Sequence, residues 1–282
     1  NKIHIPLYTM NFAKIFKKQV VDDFLREYAN GRTPNPCVRC NKLVKLGYLI
    51  KQAKKLGFDY LAGGHYAKNV DGKLYKAKDK NKDQSYFLYT FSQKELKHLL
   101  FPLGNYTKTQ VRAMAKKFKL PVAEKKDSQE ICFIPERGHN EFLRRHLKLK
   151  SGPIKLLTPR PPFERGARGV IGQHHGLPLY TIGQRKGIAI CGAGPYYAAK
   201  MDYKTNILYV VNNCGHKLLY KNKLTAKNVN WLVPPQKLPL LCQAVIRYRH
   251  KPVPCRVTKS GKSYRVKFTK PQRAITPGQS AV

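Results

Sequence analysis

Asp59-Tyr60-Leu61-Ala62-Gly63-Gly64-His65 is the stretch on which the fold class turns. A short apolar run opening directly into paired glycines reads as a buried parallel strand. Its C-terminal end is a glycine loop, the place where open α/β sheets hold their ligands. The flanks agree with this. Upstream, Phe12, Ile15, Phe16, Val20 and Phe24 recur at three- and four-residue spacings over 11–29, an amphipathic helix stopped by Gly31. Leu43, Leu46, Ile50 and Ala53 repeat the pattern over 42–56, closed by Gly57. Downstream, Ser92-x-x-Glu95 and Thr107-x-x-Gln110 are capping boxes that each open a helix, the second packing through Val111, Met114, Ala115 and Phe118.

Beyond about residue 150 the pattern changes. Residues 158–169 form a Pro/Arg/Gly loop with no core-forming periodicity. From residue 195 the segments are short and β-like: Ile207 to Val211, Gln243 to Arg249, Val253 to Thr258 and Tyr264 to Thr269, separated by turn residues. A small all-β barrel appended to an α/β domain is the expected architecture. The length of 282 residues suits two domains. Lys plus Arg is 55 against 15 Asp plus Glu, a net charge of +40. Such a chain seeks polyanions, nucleic acid first and an anionic membrane surface second. From residue 165 to the end the only acid is Asp202, so nucleic-acid contact with salt-dependent affinity is expected of the β region. No run approaches the ~18 apolar residues needed to span a bilayer, and no signal peptide is visible. The start at Asn1 without Met, and the end at Val282 in apparent mid-strand, lead us to expect a fragment. Seven cysteines (37, 40, 132, 191, 214, 242 and 255) read as reduced thiols in a cytosol-like compartment.

Several segments could carry chemistry. In Pro34-Asn35-Pro36-Cys37-Val38-Arg39-Cys40-Asn41 a rigid turn leads to a cysteine expected at the N-terminus of the helix that starts near Lys42. There the helix dipole, with Arg39 and Lys42, would favour thiolate. The Cys-x-x-Cys spacing alone fits half a zinc site, a redox pair or coincidence. Zinc needs a second pair of ligands at similar spacing, and the sequence has none. In Lys125 to Pro135, Cys132 stands within an apolar Ile-Cys-Phe-Ile run, which locally reads as a small buried cysteine. Asn81-Lys82-Asp83-Gln84-Ser85-Tyr86-Phe87 sets polar groups ahead of aromatics, as a plain turn also would. Tyr180 to Gly187 is a glycine-bracketed basic turn suited to phosphate, and Arg247-Tyr248-Arg249 alternates base and aromatic as RNA-stacking surfaces do. His174 and His175, adjacent on a strand, face opposite ways and would not share a metal.

Taken together, these segments resemble the tRNA-specific 2-thiouridylase family (MnmA type). Gly31-Arg-Thr-Pro-Asn-Pro-x-x-x-Cys40-Asn, Gly64-His65-Tyr66, Lys82-Asp-Gln-Ser-Tyr-Phe-Leu88, Leu100-Phe-Pro-Leu-Gly104, Lys126-Asp-Ser-x-x-Ile-Cys132-Phe-Ile134, Tyr180-Thr-Ile-Gly-Gln-Arg-Lys-Gly187 and Thr276-Pro-Gly-Gln-Ser-Ala-Val282 stand in the family's order, essentially end to end. The resemblance implies a Rossmann-type domain of the adenine-nucleotide α-hydrolase (PP-loop) kind at 1–127, lacking its first strand and P-loop. It implies a small central domain at 128–190 with the second catalytic cysteine, and a tRNA-binding antiparallel β-barrel at 191–282 without its last strand. The implied activity is ATP-dependent 2-thiolation of the wobble uridine of tRNA. ATP, with Mg2+, adenylates the C2 oxygen, and a cysteine persulfide loaded by a sulfur-relay protein or cysteine desulfurase delivers sulfur.

Carried over by motif, Cys132 is the persulfide carrier and Cys40 its partner, leaving a transient Cys40–Cys132 disulfide. Asn35, Pro36 and Cys37 match positions that hold the target base. His65, Lys82, Asp83, Gln84, Arg247, Tyr248 and Gln279 match tRNA-contacting positions, and Gly64 an ATP-contacting one. The base must leave the anticodon stack to reach a cysteine, as recognition of single-stranded RNA loops allows. The setting implied is a bacterial cytoplasm or an organellar matrix, with no membrane. There are three departures. The family's Ser-Gly-Gly-x-Asp-Ser P-loop is not in this sequence, so this chain alone is expected not to adenylate tRNA. Cys37 stands where many members have Asp and could compete for the disulfide. Residues 158–169 replace a shorter turn, and the last barrel strand is missing. The alternative is a non-enzymatic RNA-binding protein derived from the family.

Overall fold

The structure, a computed structural model, describes residues 5–125, 131–134, 138–157, 169–188, 190 and 195–282. Most of the Pro/Arg/Gly loop, and Lys126-Asp127-Ser128 ahead of Cys132, lie outside the described residues. Helices α1 (Ala13–Phe16) and α2 (Asp22–Ala29) are joined by a π-helical turn, Lys17–Val21, into one rod over the expected range. Val20 and Phe24 are buried, as the periodicity requires. Helix α3 (Pro36–Cys40) runs through a second π-helical turn, Asn41–Lys45, into α4 (Gly47–Lys55). That turn explains a glycine. A Cβ on Gly47 would lie 1.8 Å from the Lys42 carbonyl oxygen, which the wider turn pushes into the path of the next residue.

This helix starts well before Lys42, where the sequence placed it. Asn35 is its N-cap, accepting the Cys37 N–H at 3.2 Å, with Pro36 at the first helical position where its missing N–H costs nothing. Strand β1 (Leu61–Ala62) pairs in parallel with a later strand, as its reading required, but it is not the buried strand expected: it has one partner strand among the described residues, Leu61 is half-buried and Ala62 and Tyr60 are exposed. Strands β2 (Ala67–Val70) and β3 (Lys73–Lys76) form a hairpin between the two in sequence. Both capping boxes form reciprocally: Ser92 opens α5 (Gln93–Leu96), which leads to β4 (Leu99–Leu100), the partner of β1, and Thr107 opens α6 (Lys108–Lys117). The packing expected of α6 is not found. None of its residues is buried and Phe118 is 65% exposed, because its apolar stripe finds only partial cover among the described residues.

The next module begins with α7 (His139–His146) and a sheet of β5 (Gly152–Leu156), β6 (Val170–His174), β7 (Tyr197–Asp202) and β8 (Ile207–Val211), in the order β6-β5-β8-β7. Strand β5 pairs in parallel with β8, so strands 197–211 complete the central sheet. The break expected at residue 190 therefore moves to the segment before residue 220. The core of this module, Phe142, Leu143, Ile154, Ala198, Leu208 and Val210, also takes in Phe24 and Tyr28 of α2. The first helix thus belongs to the central core by packing although it is far from it in sequence.

The last module is a four-stranded antiparallel sheet of β9 (Tyr220–Ala226), β10 (Leu240–Ala244), β11 (Val253–Ser260) and β12 (Ser263–Arg273), ordered β10-β11-β12-β9. Val257, Val266 and Phe268 fill its inner face with Cys255 and Ile246. Val245 and Val282 exchange both backbone hydrogen bonds, at 2.8 and 3.0 Å. The modules meet at the loop ahead of α3. The Thr33 N–H donates to the Pro277 carbonyl at 2.8 Å, and Gly278, at φ +93°, lies so close that a Cβ there would sit 2.8 Å from the Thr33 nitrogen.

Candidate functional site

A cleft of about 630 Å³ opens where α1, α3, the glycine loop after β1, the Cys132 segment and the loop after β10 converge. Two distant segments bring thiols into it. On one side α3 presents Cys37 and Cys40, three residues apart and so on neighbouring positions of one helical face. On the other, Cys132 is exposed while Ile131, Phe133 and Ile134 pack into the central core, with Phe133 edge-on to Phe16, Phe24 and Phe142. The local reading of Cys132 as a buried core thiol is therefore overturned. The apolar neighbours are the anchors, and they turn the cysteine outward.

The helix carrying Cys40 is held by ion pairs. Asp23, buried in α2, binds Arg39 at 2.7 Å and Arg26 as well, and Arg39 also donates to the Gln19 carbonyl at 3.2 Å. Lys42 is bound to both carboxylate oxygens of Glu95, at 2.6 and 2.7 Å. These partners correct the expectation that Arg39 and Lys42 favour thiolate, since both charges are spent on carboxylates from other helices. The start of the helix at Pro36 also removes Cys40 from the N-terminal dipole. Desolvation by the surrounding protein, the largest influence, raises both the Cys37 and Cys40 thiols above their ordinary value, and the opposing cation is Lys45. Resting Cys40 is a thiol, and chemistry at it needs a base or a partner that draws the proton away.

Of the residues singled out in the sequence, Pro36, Cys37, Cys40, Gly64, His65, Lys82, Gln84, Cys132 and Tyr248 line this cleft. Gly64 has open space where a Cβ would stand, so a ligand can approach its backbone closely. His65 is buried, its Nε2 3.2 Å from the Asn41 side-chain oxygen and its Nδ1 without a partner. Burial, with Lys45, pushes it down to about 4, so it is neutral at physiological pH. Gln84 accepts the Tyr66 N–H at 3.0 Å and fixes the loop after Gly64. Tyr248 packs on Phe87 with ring centroids 4.4 Å apart, and the Arg249 guanidinium lies over Tyr248 at 5.3 Å, giving the cleft an aromatic and cationic rim.

Four of the singled-out residues stand behind the cleft. Asn35 caps α3. Asp83 accepts the Ala77 N–H and the Ser85 hydroxyl, each at 2.8 Å. Arg247 donates to the Ala274 carbonyl at 3.3 Å, and Gln279 to the Thr33 carbonyl at 2.7 Å. Tyr86, pushed up to about 12 chiefly by burial, stays a donor and binds the Ser280 carbonyl at 3.0 Å. The basic turn at Tyr180 to Gly187 is a joint as well, since Gly183 is wedged against Ala274 and accepts from Arg273 at 3.3 Å. His174 is fully buried with both nitrogens satisfied, by Asn206 and Gly176. The sequence reading missed Lys45 and Lys108, which line the cleft among a great many lysines with no local signal to single them out, and Phe16 and Val20, which looked like ordinary core positions.

Comparison with known proteins gives the same three-part division. Residues 1–136 match the tRNA methyl transferase HUP domain family, residues 140–212 the tRNA methyl transferase PRC-barrel domain, and residues 221–282 the aminomethyltransferase beta-barrel domain. The chain is 42% identical over 294 residues to the tRNA-specific 2-thiouridylase MnmA of Carboxydothermus hydrogenoformans, covering 100% of this chain and 77% of that one. The protein of the same name from Pectobacterium carotovorum subsp. carotovorum is 43% identical over 294 residues (100% and 78%), and that of Protochlamydia amoebophila 40% over 288 (99% and 74%).

Proposed function

The chain belongs to the tRNA-specific 2-thiouridylase family, and from that premise we propose that it 2-thiolates tRNA with the thiols of the cleft as its sulfur-handling groups. The observation that carries the proposal is that Cys40 and Cys132, remote in sequence and held by unrelated scaffolds, line one cleft with an aromatic and cationic rim. Pro36 and Cys37, which line the cleft behind the Asn35 cap, are taken as the groups that receive the unstacked uracil and Tyr248 as a tRNA contact at its rim, a reading that suits recognition of a base drawn out of a single-stranded loop.

ATP, when bound, supplies activation of the uridine C2 oxygen as a leaving group. The open backbone at Gly64 and the cation of Lys108 suit a polyphosphate, with which a magnesium ion would come, while Lys82 is kept as a tRNA contact. Cys132, exposed and mounted on an apolar anchor, is the group a sulfur donor can reach and load as a persulfide. Its terminal sulfur bonds to C2 as the activated oxygen departs. The Cys40 sulfur then attacks the Cys132 Sγ, the sulfur–sulfur bond to the base breaks, and C2 keeps its sulfur. The product enzyme form is a Cys40–Cys132 disulfide, with the Cys40 proton released to solvent. Two thiol equivalents from a cellular reductant restore the pair, so the proposal carries a reducing, cytoplasm-like compartment with it. No observation favours the alternative of an RNA-binding protein without catalysis.

The test is nucleoside analysis of tRNA incubated with the full-length protein, ATP, magnesium and a persulfide donor. We expect 2-thiouridine with the unaltered protein and a loss of more than about a thousandfold in Cys132→Ser and Cys40→Ser. Undiminished 2-thiouridine in Cys132→Ser would remove the assignment.

A further inference from the structure

Two cysteines outside the cleft stand sulfur to sulfur. The register of the C-terminal sheet sets Cys242 of β10 directly opposite Cys255 of β11, and their sulfurs are 3.6 Å apart. Both are free thiols. Directly opposed residues of an antiparallel pair have Cα atoms about 4.5 or 5.5 Å apart. A disulfide spans about 4.4 to 6.8 Å between Cα atoms, so this pair can close without moving its backbone. A buried cysteine often serves only as a small apolar side chain. That accounts for Cys255, packed with Val257, Val266 and Phe268. It does not account for a second sulfur at the one position opposite.

The two thiols are unequally sheltered. Strand β10 is at the edge of its sheet and Cys242 is half-buried, whereas Cys255 lies on an interior strand and is buried. Burial, and after it the neighbouring Cys242 sulfur, push the Cys255 thiol up, so it is protonated and a poor first nucleophile. Cys242 is therefore the sulfur that a small oxidant reaches, and Cys255 the one placed to resolve it. What lies between them gives the bond a consequence. The loop after β10 belongs to the cleft rim, where Tyr248 packs on Phe87 and Arg249 covers Tyr248. The cysteine pair stands two register positions from Ala244 and Val253, where that loop leaves the sheet.

We propose that Cys242 and Cys255 form a reversible oxidation site, a dithiol that a peroxide closes to a cross-strand disulfide, stapling the base of the rim loop. The peroxide takes the Cys242 sulfur to a sulfenic acid and is itself reduced to water. The Cys255 sulfur then attacks the sulfenic sulfur. Its proton leaves with the sulfenic hydroxyl as a second water, and the Sγ–Sγ bond forms. A thiol reductant returns both thiols. Closing the ring restricts the open conformations of the edge strand and the loop it feeds, so local opening there becomes rarer. Cys132, exposed in the cleft, reacts before this sheltered pair. The bearing of the staple on thiolation rests on the reading of the cleft; the bond itself does not.

The test treats the reduced, full-length protein with rising hydrogen peroxide, blocks it with iodoacetamide in denaturant and maps its peptides without reductant. Hydrogen exchange is followed on the same samples before blocking. A peptide joining Cys242 to Cys255 should appear after the cleft thiols have reacted and vanish with dithiothreitol. With it, exchange over β10 and residues 245–252 should slow by about tenfold or more, and dithiothreitol should restore it. Cys242→Ser should keep the thermal midpoint of the reduced protein, since the position is half-buried, and should show no slowing with peroxide. Both sulfurs still open to alkylation when the exposed Cys214 has gone to sulfinic acid would overturn the site. A disulfide that leaves exchange unchanged, or equal slowing in Cys242→Ser, would overturn the staple. Neither readout uses tRNA, so a failure of the tRNA reading would leave both results in place.

Discussion

Cys40 and Cys132 come to one cleft on opposite kinds of support. The helix carrying Cys40 is fixed by polar groups: the Asn35 cap, the buried Asp23 bound to Arg39, the Lys42–Glu95 pair and a π-helical turn that only a glycine at position 47 can follow. The segment carrying Cys132 is fixed by Ile131, Phe133 and Ile134 sunk in the central core. A polar-fixed thiol has a defined direction and a thiol value that its surroundings raise. An apolar-anchored thiol has a defined position with its sulfur in solvent. The contrast fits a division of labour in which the exposed thiol is loaded from outside and the sheltered one acts only when the substrate is in place.

The largest effect expected is on the polar side. Gly47→Ala puts a Cβ against the Lys42 carbonyl and undoes the π-helical turn that carries Asn41 and Lys45, at a cost of more than about 3 kcal/mol, read by urea denaturation. A loss under about 1 kcal/mol would show that the turn is not needed and that the cysteine helix is looser than its polar contacts imply. Next comes acid. The folded protein holds His65 down at about 4 against an ordinary 6.5. The unfolded chain therefore binds more protons between those values, and stability present above pH 6.5 falls as pH drops through the interval. The loss is at most about 3 kcal/mol. His65→Gln should flatten that part of the stability curve, and an unchanged curve would free the histidine of this role. The smaller effect is on the apolar side. Phe133→Ala should cost about 2 kcal/mol, because Phe133 is only partly buried. It should also lower thiolation though both cysteines remain, since the anchor of Cys132 is gone. Thiolation unaltered in that variant would mean that Cys132 is positioned by something else.

Much of the fold was legible in the sequence because it rests on local signals. The strand at Leu61 opens on its glycine loop and pairs in parallel, and Ser92 and Thr107 both form the reciprocal boxes that their spacing predicts. What escaped depends on partners remote in the chain. Arg39 and Lys42 looked like free cations because Asp23 and Glu95 lie on other helices. Asn35 looked like a turn residue because Pro-Asn-Pro serves a turn and a proline-led helix start equally well. Strands 197–211 looked like part of the barrel because alternation reports a strand and not its sheet. Cys132 looked buried because an apolar run does not say which of its members faces out. The residues that line the cleft were nonetheless mostly recovered, through motifs whose order along the chain is itself a signal, while Lys45 and Lys108 had no motif to mark them.

The central claim is that Cys40 and Cys132 face each other across one cleft as working partners. It is tested most directly by mild oxidation of the folded protein with a small disulfide reagent, followed by non-reducing peptide mapping. The account predicts a Cys40–Cys132 cross-link as the first disulfide to form, lost in Cys40→Ser and slowed when tRNA fills the cleft. A first disulfide that joins Cys132 to Cys37, or one that leaves Cys132 alkylatable while Cys37 and Cys40 pair with each other, would contradict it.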